Sequence, residues 1–451
     1  MIKTKAFLFI YLSVLISMSL QAQEKKWTLK ECVDYAIENN ISIQQTQLDN
    51  ELITIDKKDA IGRFLPTANA NASHSWNIGL NINPITNTTE NQTFQNTNVG
   101  VNVGVDIYNG LQNQNRLRRA NLSKIAAQYQ LTKMKDDVAL NVANAFLQIL
   151  FNKENLKVQQ EQLLNNNKQK ERTQTLVEAG SVPKGDLMDM TATIATSEQA
   201  VVNAENALLI SKLSLAQLLQ LEDFKNFDII DTDYSLTESE VMLQSADAIF
   251  NKAKEERVEL KIARANLDVA KKDIDIARGA LQPSLSGFYS FSSRATNADR
   301  FSNGVVRGPD AIFNQFSDNK GNAFGLQLNI PILNGFSARN NIERSKVAFK
   351  RSEIAVSQQE LDLKRNVYTA FTDANGALNA YEAAVIALEA RTQSYEYAKE
   401  RFDVGLLNAF DLNQSQTLFA NAQSDVIRTK YDYIFRVKVV EFYFGIPIAG
   451  R

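Results

Sequence analysis

Residues 103–125 read VGVDIYNGLQNQNRLRRANLSKI, and residues 326–349 read LQLNIPILNGFSARNNIERSKVAF. Each stretch passes from an alternating strand through an Asn-Gly turn into a long helical run. Gly110 and Gly335, the glycines of the two turns, lie 225 positions apart. The chain is an internal repeat, and its hydrophobic period changes from two to about 3.6 at one point in each half.

Upstream of the turns the sequence is extended. Val99, Val101, Val103, Val105 and Ile107 alternate with Asn98, Gly100, Asn102, Gly104 and Asp106. In the second half Phe324, Leu326, Leu328, Ile330 and Ile332 do the same. Their partners, ANANASHSWNIGL (68–80) and PSLSGFYSFSS (283–293), alternate more weakly and follow Pro66 and Pro283. Proline stops a helix and holds its predecessor extended. Asn-rich loops, about 79–96 and 295–321, join the strands of each pair. Each half thus holds one hairpin of roughly ten-residue strands, the length a tilted membrane strand needs. No further strands are expected.

Downstream of the turns the helices are long. From about Leu111 to Glu178, and from about Phe336 to Phe402, there is no proline and little glycine. One helix of roughly 67 residues reaches about 100 Å, which calls for a coiled-coil or helical-array explanation. In the second run Leu363, Val367, Ala370, Ala374, Ala377, Tyr381, Ala384 and Leu388 alternate by four and three, and Tyr395, Ala398 and Phe402 continue the series. That 3.5-residue seam faces a partner helix. Phe371, Leu378 and Val385 form a second seam, as in a curved wall of helices.

The helix breaks are paired too. LVEAGSVPKGDLMDM (176–190) and RFDVGLLNAFDLNQS (401–415) superimpose at the same offset, so that Gly180 matches Gly405, Asp186 matches Asp411 and Leu187 matches Leu412. Glycine ends one helix in a left-handed conformation, and the aspartate caps or opens the next. Helices return over 186–220 and 411–444. Further helices of about 35 residues are expected near 28–62 and 246–280. The acidic, turn-rich 221–245 reads as a connector between a first repeat (23–220) and a second (246–451).

The N-terminal MIKTK is basic, AFLFIYLSVLISMSL is apolar, and QA ends on a small residue, so residues 1–22 read as a secretory signal peptide. Cys32 is the single cysteine, which excludes an internal disulfide. The formal net charge is −2, and that balance speaks against a nucleic-acid partner. His74 is the only histidine and has no second ligand nearby in sequence, which sets aside a zinc site or a Ser-His-Asp triad. No phosphate-binding loop occurs, no cofactor is implied, and the chain does not read as an enzyme.

Strands with one apolar and one small polar face suit a wall between lipid and water. Four strands are too few to close a barrel, and an open edge cannot face lipid. The barrel is therefore shared between chains; two copies give eight strands, three give twelve, and symmetry permits either.

These residues resemble the TolC-type outer-membrane efflux channels over essentially the whole mature chain. The resemblance rests on TLKECVDYAIENN (28–40), the proline-bounded strand starts, the two strand-NG-helix junctions, and the tips, of which RFDVGLLNAFDL (401–412) is the most specific. It implies a mixed α+β membrane protein, a homotrimer whose twelve-stranded barrel, four strands per chain, lies in outer-membrane lipid. An α-helical coiled-coil barrel continues it into the periplasm. The channel would conduct substrates passively, in efflux or type I secretion, from an inner-membrane pump of RND or ABC type through a periplasmic adaptor protein.

The resemblance also carries site residues. Tyr108, Gly110, Leu333 and Gly335 mark the strand-to-helix junctions. Gly180, Asp186, Leu187, Gly405, Asp411 and Leu412 mark the adaptor-contacting tips. Phe402, Leu407, Asp411 and Gln414 fall at the periplasmic entrance constriction. There Phe402 stands where the family can carry tyrosine, Leu407 where it can carry arginine, and Gln414 where it can carry a second aspartate. Those departures imply an entrance closed by apolar packing, with one carboxylate ring at Asp411. The rival reading is a soluble periplasmic coiled-coil adaptor or scaffold, which leaves the strands without a role.

Overall fold

The computed structural model describes residues 26–83, 87–222, 224, 226–231, 239–302 and 305–448. The signal-peptide stretch and part of the connector lie outside them. The first half runs β1 (Lys26–Trp27), α1 (Leu29–Asn39), α2 (Ile41–Gly62), β2 (Thr67–Asn77), β3 (Leu80–Ile82), β4 (Thr89–Asn91), β5 (Phe94–Asn109), α3 (Gln112–Glu178), α4 (Lys184–Leu219) and β6 (Asp228–Ile229). After a short 3-10 turn at Glu240–Leu243 come α5 (Ala246–Glu256), α6 (Val258–Gly279), β7 (Ser284–Thr296), β8 (Arg300–Ser302), β9 (Val305–Arg307), α7 (Ile312–Asp318), β10 (Gly321–Asn329), α8 (Ser337–Asp403) and α9 (Ala409–Phe444). The two long helices have 67 residues each and the two return helices 36 each.

The chain divides into two compact units. One takes in Asp49–Gln128 and Lys261–Ser357; the other holds the rest. The first of these contains a four-stranded antiparallel sheet in the order β10-β7-β5-β2. Its registers set Val101 opposite Ala70 and Phe291, and Phe324 opposite Tyr289. Because side chains alternate across a strand, one face collects Ala70, Ala72, Val101, Val103, Phe291, Leu326 and Leu328. The other face collects Asn71, Ser73, Gly100, Asn102, Ser290 and Ser292, with Phe288 among them beside Gly104 and Gly325. The sheet is open: β2 and β10 are both edges, and Phe324 on β10 is 85% exposed.

At each strand-to-helix junction two consecutive residues are left-handed: Gly110 and Leu111 (φ 57° and 61°), and Gly335 and Phe336 (φ 55° and 63°). Leucine and phenylalanine rarely adopt this region, so the matched pairs show the same tight reversal built twice. At Gly110 a Cβ would overlap the carbonyl of Gly279, where α6 ends. Close by, Tyr108 Oη hydrogen-bonds to Gln282 Oε1, and Arg119 pairs with Asp273 at 2.6 Å.

The second unit is helical. Leu363, Val367, Ala370, Ala374 and Ala377 are buried, so the first half of the long-helix seam is a core. In the second seam Phe371 packs against that core, while Val385 stays exposed on the single chain. A larger core gathers Val142, Phe146, Ile149, Leu215, Leu219 and the thiol of Cys32. A small sheet that the sequence pattern does not announce also lies here: β1 and β6 pair in parallel. Asp228 there meets Lys153 at 2.9 Å and Lys212 at 3.0 Å. Burial works against its carboxylate, yet the two lysines outweigh it and hold its pKa below the usual range.

Three expectations need correction. The two 35-residue helices are each broken, at Asn40 and at Arg257, which are extended (φ −66°, ψ 128° and φ −68°, ψ 129°). Asn40 caps its own break, accepting from Ser42 N and donating to Leu218 O. Arg257 is buried with its guanidinium 3.7 Å above the Phe442 ring, donating to Asp136 and Glu259 at 3.3 and 3.1 Å. Strands beyond the four also exist, because the loops fold into the short hairpins β3-β4 and β8-β9. Third, Asn408 rather than Asp411 caps α9, accepting from Asp411 N at 2.8 Å; Pro183 opens α4 with no side-chain cap.

Gly110→Ala is expected to destabilise the sheet-bearing unit by at least about 1–2 kcal/mol, from the left-handed backbone alone, with the overlap at Gly279 adding to it. Arg257→Ala removes the charge facing Asp136 and Glu259 and should cost about 3–5 kcal/mol. Denaturant titration of the detergent-solubilised protein, followed by helical circular dichroism, measures both.

Candidate functional site

The two helix-hairpin tips share one construction. Gly180 and Gly405 are left-handed (φ 71° and 78°). Around them Ser181 N donates to Leu176 O, and Leu406 N to Arg401 O, at 2.9 and 2.8 Å. These six-to-one bonds satisfy the last helical carbonyls. Asp186 and Asp411 both sit in the first turn of the returning helix, where the helix dipole favours a carboxylate.

Beneath the second tip lies a small core of Met190, Phe402, Ala409 and Leu412, with Tyr395, Ala398 and Leu407 against it. Phe402 is 3% exposed and Leu412 1%, so both side chains belong to the inside of a single chain's tip. Leu407 is half-buried on that core, and Leu187 and Asp186 are half-buried on the other hairpin. Asp411 and Gln414, one turn apart on α9, are exposed. The Asp411 carboxylate accepts from Asn408 Nδ2 at 3.0 Å. Val404, Leu406 and Phe410 surround Gly405 with exposed apolar surface.

Several ties hold the tips together that the sequence did not disclose. Arg172 pairs with Asp403 at 3.0 Å and binds its carbonyl. Asn413 Nδ2 donates to Thr193 Oγ1. Tyr395 stacks on Phe419 with ring planes 6° apart; burial, then the nearby Asp403 carboxylate, raise its phenol pKa. None of these pairs was signalled by the repeat, because Arg172, Met190 and Asp403 face Tyr397, Ser415 and Glu178 at the matched offset. At the junctions Tyr108 is engaged with Gln282, whereas Leu333 is 95% exposed.

Residues 32–220 and 249–437 match the family described as outer membrane efflux protein. The outer membrane protein TolC of Vibrio cholerae is 22% identical over 316 residues, 69% of this chain and 68% of that protein. The CmeC outer membrane channel of Campylobacter jejuni superimposes with a TM-score of 0.78 at 18% identity, over 92% of this chain and 85% of its own. The outer membrane protein VceC of Vibrio cholerae does so with a TM-score of 0.75 at 15% identity, over 93% and 96%. At these identities the structural likeness is one of fold.

Met190→Ala empties the tip core between the hairpins and is expected to cost about 2–5 kcal/mol locally. Faster amide hydrogen exchange over 176–190 and 401–415, with exchange elsewhere unchanged, is the expected readout.

Proposed function

This chain belongs to the outer membrane efflux protein family and acts as an outer-membrane efflux channel; from that premise we propose how it is assembled and where it selects. Three copies join their four-stranded sheets into a twelve-stranded barrel, and the long helices form a tunnel that extends it into the periplasm. Residues 1–22 direct export and are removed. The observation that carries this reading is the open sheet: one mainly apolar face, one face mainly of serine, asparagine and glycine that also bears Phe288, and two unpaired edges. A soluble scaffold would expose that apolar face to water, and the hydrophobic cost speaks against it.

The tips are the working end. Gly180, Asp186 and Leu187, with Gly405 and Asp411, present the surface that meets a periplasmic adaptor, and Val404, Leu406 and Phe410 supply its apolar part. Leu412 supports that surface from beneath. Phe402 and Leu407 stiffen the entrance through the tip core instead of locking it by hydrogen bonds. Asp411 carboxylates from three copies converge on the axis with Gln414 one turn along, which attracts cations and repels anions. The chain conducts passively, in efflux or in type I secretion, and an inner-membrane pump of the RND or ABC type supplies the energy.

In planar bilayers the channel is expected to prefer cations, and Asp411→Asn to lose most of that preference while Gln414→Ala keeps it. An unchanged reversal potential in Asp411→Asn would contradict the ring.

A further inference from the structure

The polar face of the sheet is not uniform. Thr67, Gly104, Phe288 and Gly325 stand in one row across β2, β5, β7 and β10. The rows on either side are polar or small: Asn69, Asn102, Ser290 and Ala323 on one, Asp106, Ser286 and Gln327 on the other. Phe288 is 44% exposed, and it is the one exposed aromatic side chain among the described residues of that face.

The two glycines beside Phe288 differ in what they leave free. A Cβ at Gly325 would lie 3.1 Å from both Cε1 and Cζ of Phe288, so the ring leans over β10 and its tip takes the place of a side chain. That is ordinary packing of an aromatic ring on a cross-strand glycine. A Cβ at Gly104 would meet only Thr67 Oγ1, at 4.0 Å. Nothing of Phe288 fills that side. Gly100, on the same strand and face, is closed by comparison: a Cβ there would meet Asn71 Oδ1 at 3.1 Å and the Phe291 carbonyl at 3.3 Å.

The row therefore holds a notch with Gly104 as its floor, Phe288 as one wall and the Thr67 hydroxyl as the other. The two walls stand on the strands that flank β5, about 10 Å apart, which leaves room for one flat ring. Asp106 projects from the same face two residues along β5, about 7 Å away. Its carboxylate accepts from Asn113 Nδ2 at 3.3 Å. Arg116 lies nearby but donates to Asn113 Oδ1 and Gln112 Oε1 instead of Asp106. We propose that this notch is a binding site for flat aromatic cations on the wall of the lumen. The solute's ring stacks on Phe288 over Gly104 and its charge turns towards Asp106. Covering the exposed ring and the bare glycine removes apolar surface from water, which drives the binding. The proposal rests on the shared-barrel reading above, which turns the polar face to the lumen; it adds the class of solute held there and the residues that hold it.

The test is the current of the full-length channel in planar bilayers, with benzyltrimethylammonium as probe and tetramethylammonium, the same head group without the ring, as reference. In the parent channel the benzyl compound is expected to half-block the current at a several-fold lower concentration than the reference. Phe288→Ala and Gly104→Thr should each remove that difference, and Phe288→Tyr should keep it. Asp106→Asn should raise the half-blocking concentration of the benzyl compound several-fold. Gly104→Thr leaves the contact of Phe288 with Gly325 untouched, so it separates a binding site from mere packing of the ring. Equal block by the two ions, a difference that survives Gly104→Thr, or no response to Asp106→Asn would overturn the notch and leave the channel reading standing. A parent chain that is monomeric in detergent and carries no current would overturn both.

Discussion

An unpaired sheet edge cannot face hydrocarbon, because each buried N–H and C=O left without a partner costs several kcal/mol. The four-stranded sheet of this chain meets that constraint directly. The four-stranded sheet has an apolar face fit for lipid and a small polar face fit for water, yet it ends in two edges. The proposed assembly therefore takes more than one chain to close the sheet. In the assembly proposed above, β10 of one copy is continued by β2 of the next.

Below the sheet the same economy appears as helix geometry. The reversal from strand to helix is made twice with a glycine and a bulky residue, all four left-handed. Strain at Leu111 and Phe336 is tolerated because the turn must redirect the chain within two residues. The helices of 22 residues that end at Gly62 and Gly279 are each separated from an 11-residue helix by one extended residue. Asn40 and Arg257 hold these breaks with side chains that reach distant partners. The Asn40 amide oxygen caps the next helix while its nitrogen donates to the distant Leu218 carbonyl, and the Arg257 guanidinium reaches across to Asp136, Glu259 and the Phe442 ring. Burial raises the pKa of Asp136 in spite of the facing arginine, so this charge cluster is costly to bury and depends on every member staying in place.

Much of this was legible in the sequence. Period-two stretches beside Pro66 and Pro283, the Asn-Gly turns and the four-three spacing from Leu363 to Ala377 gave strands, junctions and seam, because each follows from local geometry. The breaks at Asn40 and Arg257 were not legible, since neither residue is a helix breaker and their support comes from distant partners such as Leu218 and Phe442. The pairing of Lys26–Trp27 with Asp228–Ile229 was hidden for the same reason: two residues carry no period. At the tips the glycines and aspartates stood out by repetition. Met190 and the Arg172–Asp403 tie did not, because the two hairpins differ at those places. Phe402 was readable as a seam residue, but its burial against Met190 is a tertiary fact.

The central claim is that the barrel is shared, and the mass of the protein after detergent extraction from outer membranes tests it most directly. Native mass spectrometry with the detergent stripped in the gas phase should give three times the mass of the mature chain. A monomer, or a species that leaves the membrane without detergent, would contradict the account, because the open edges of the sheet would then have no partner.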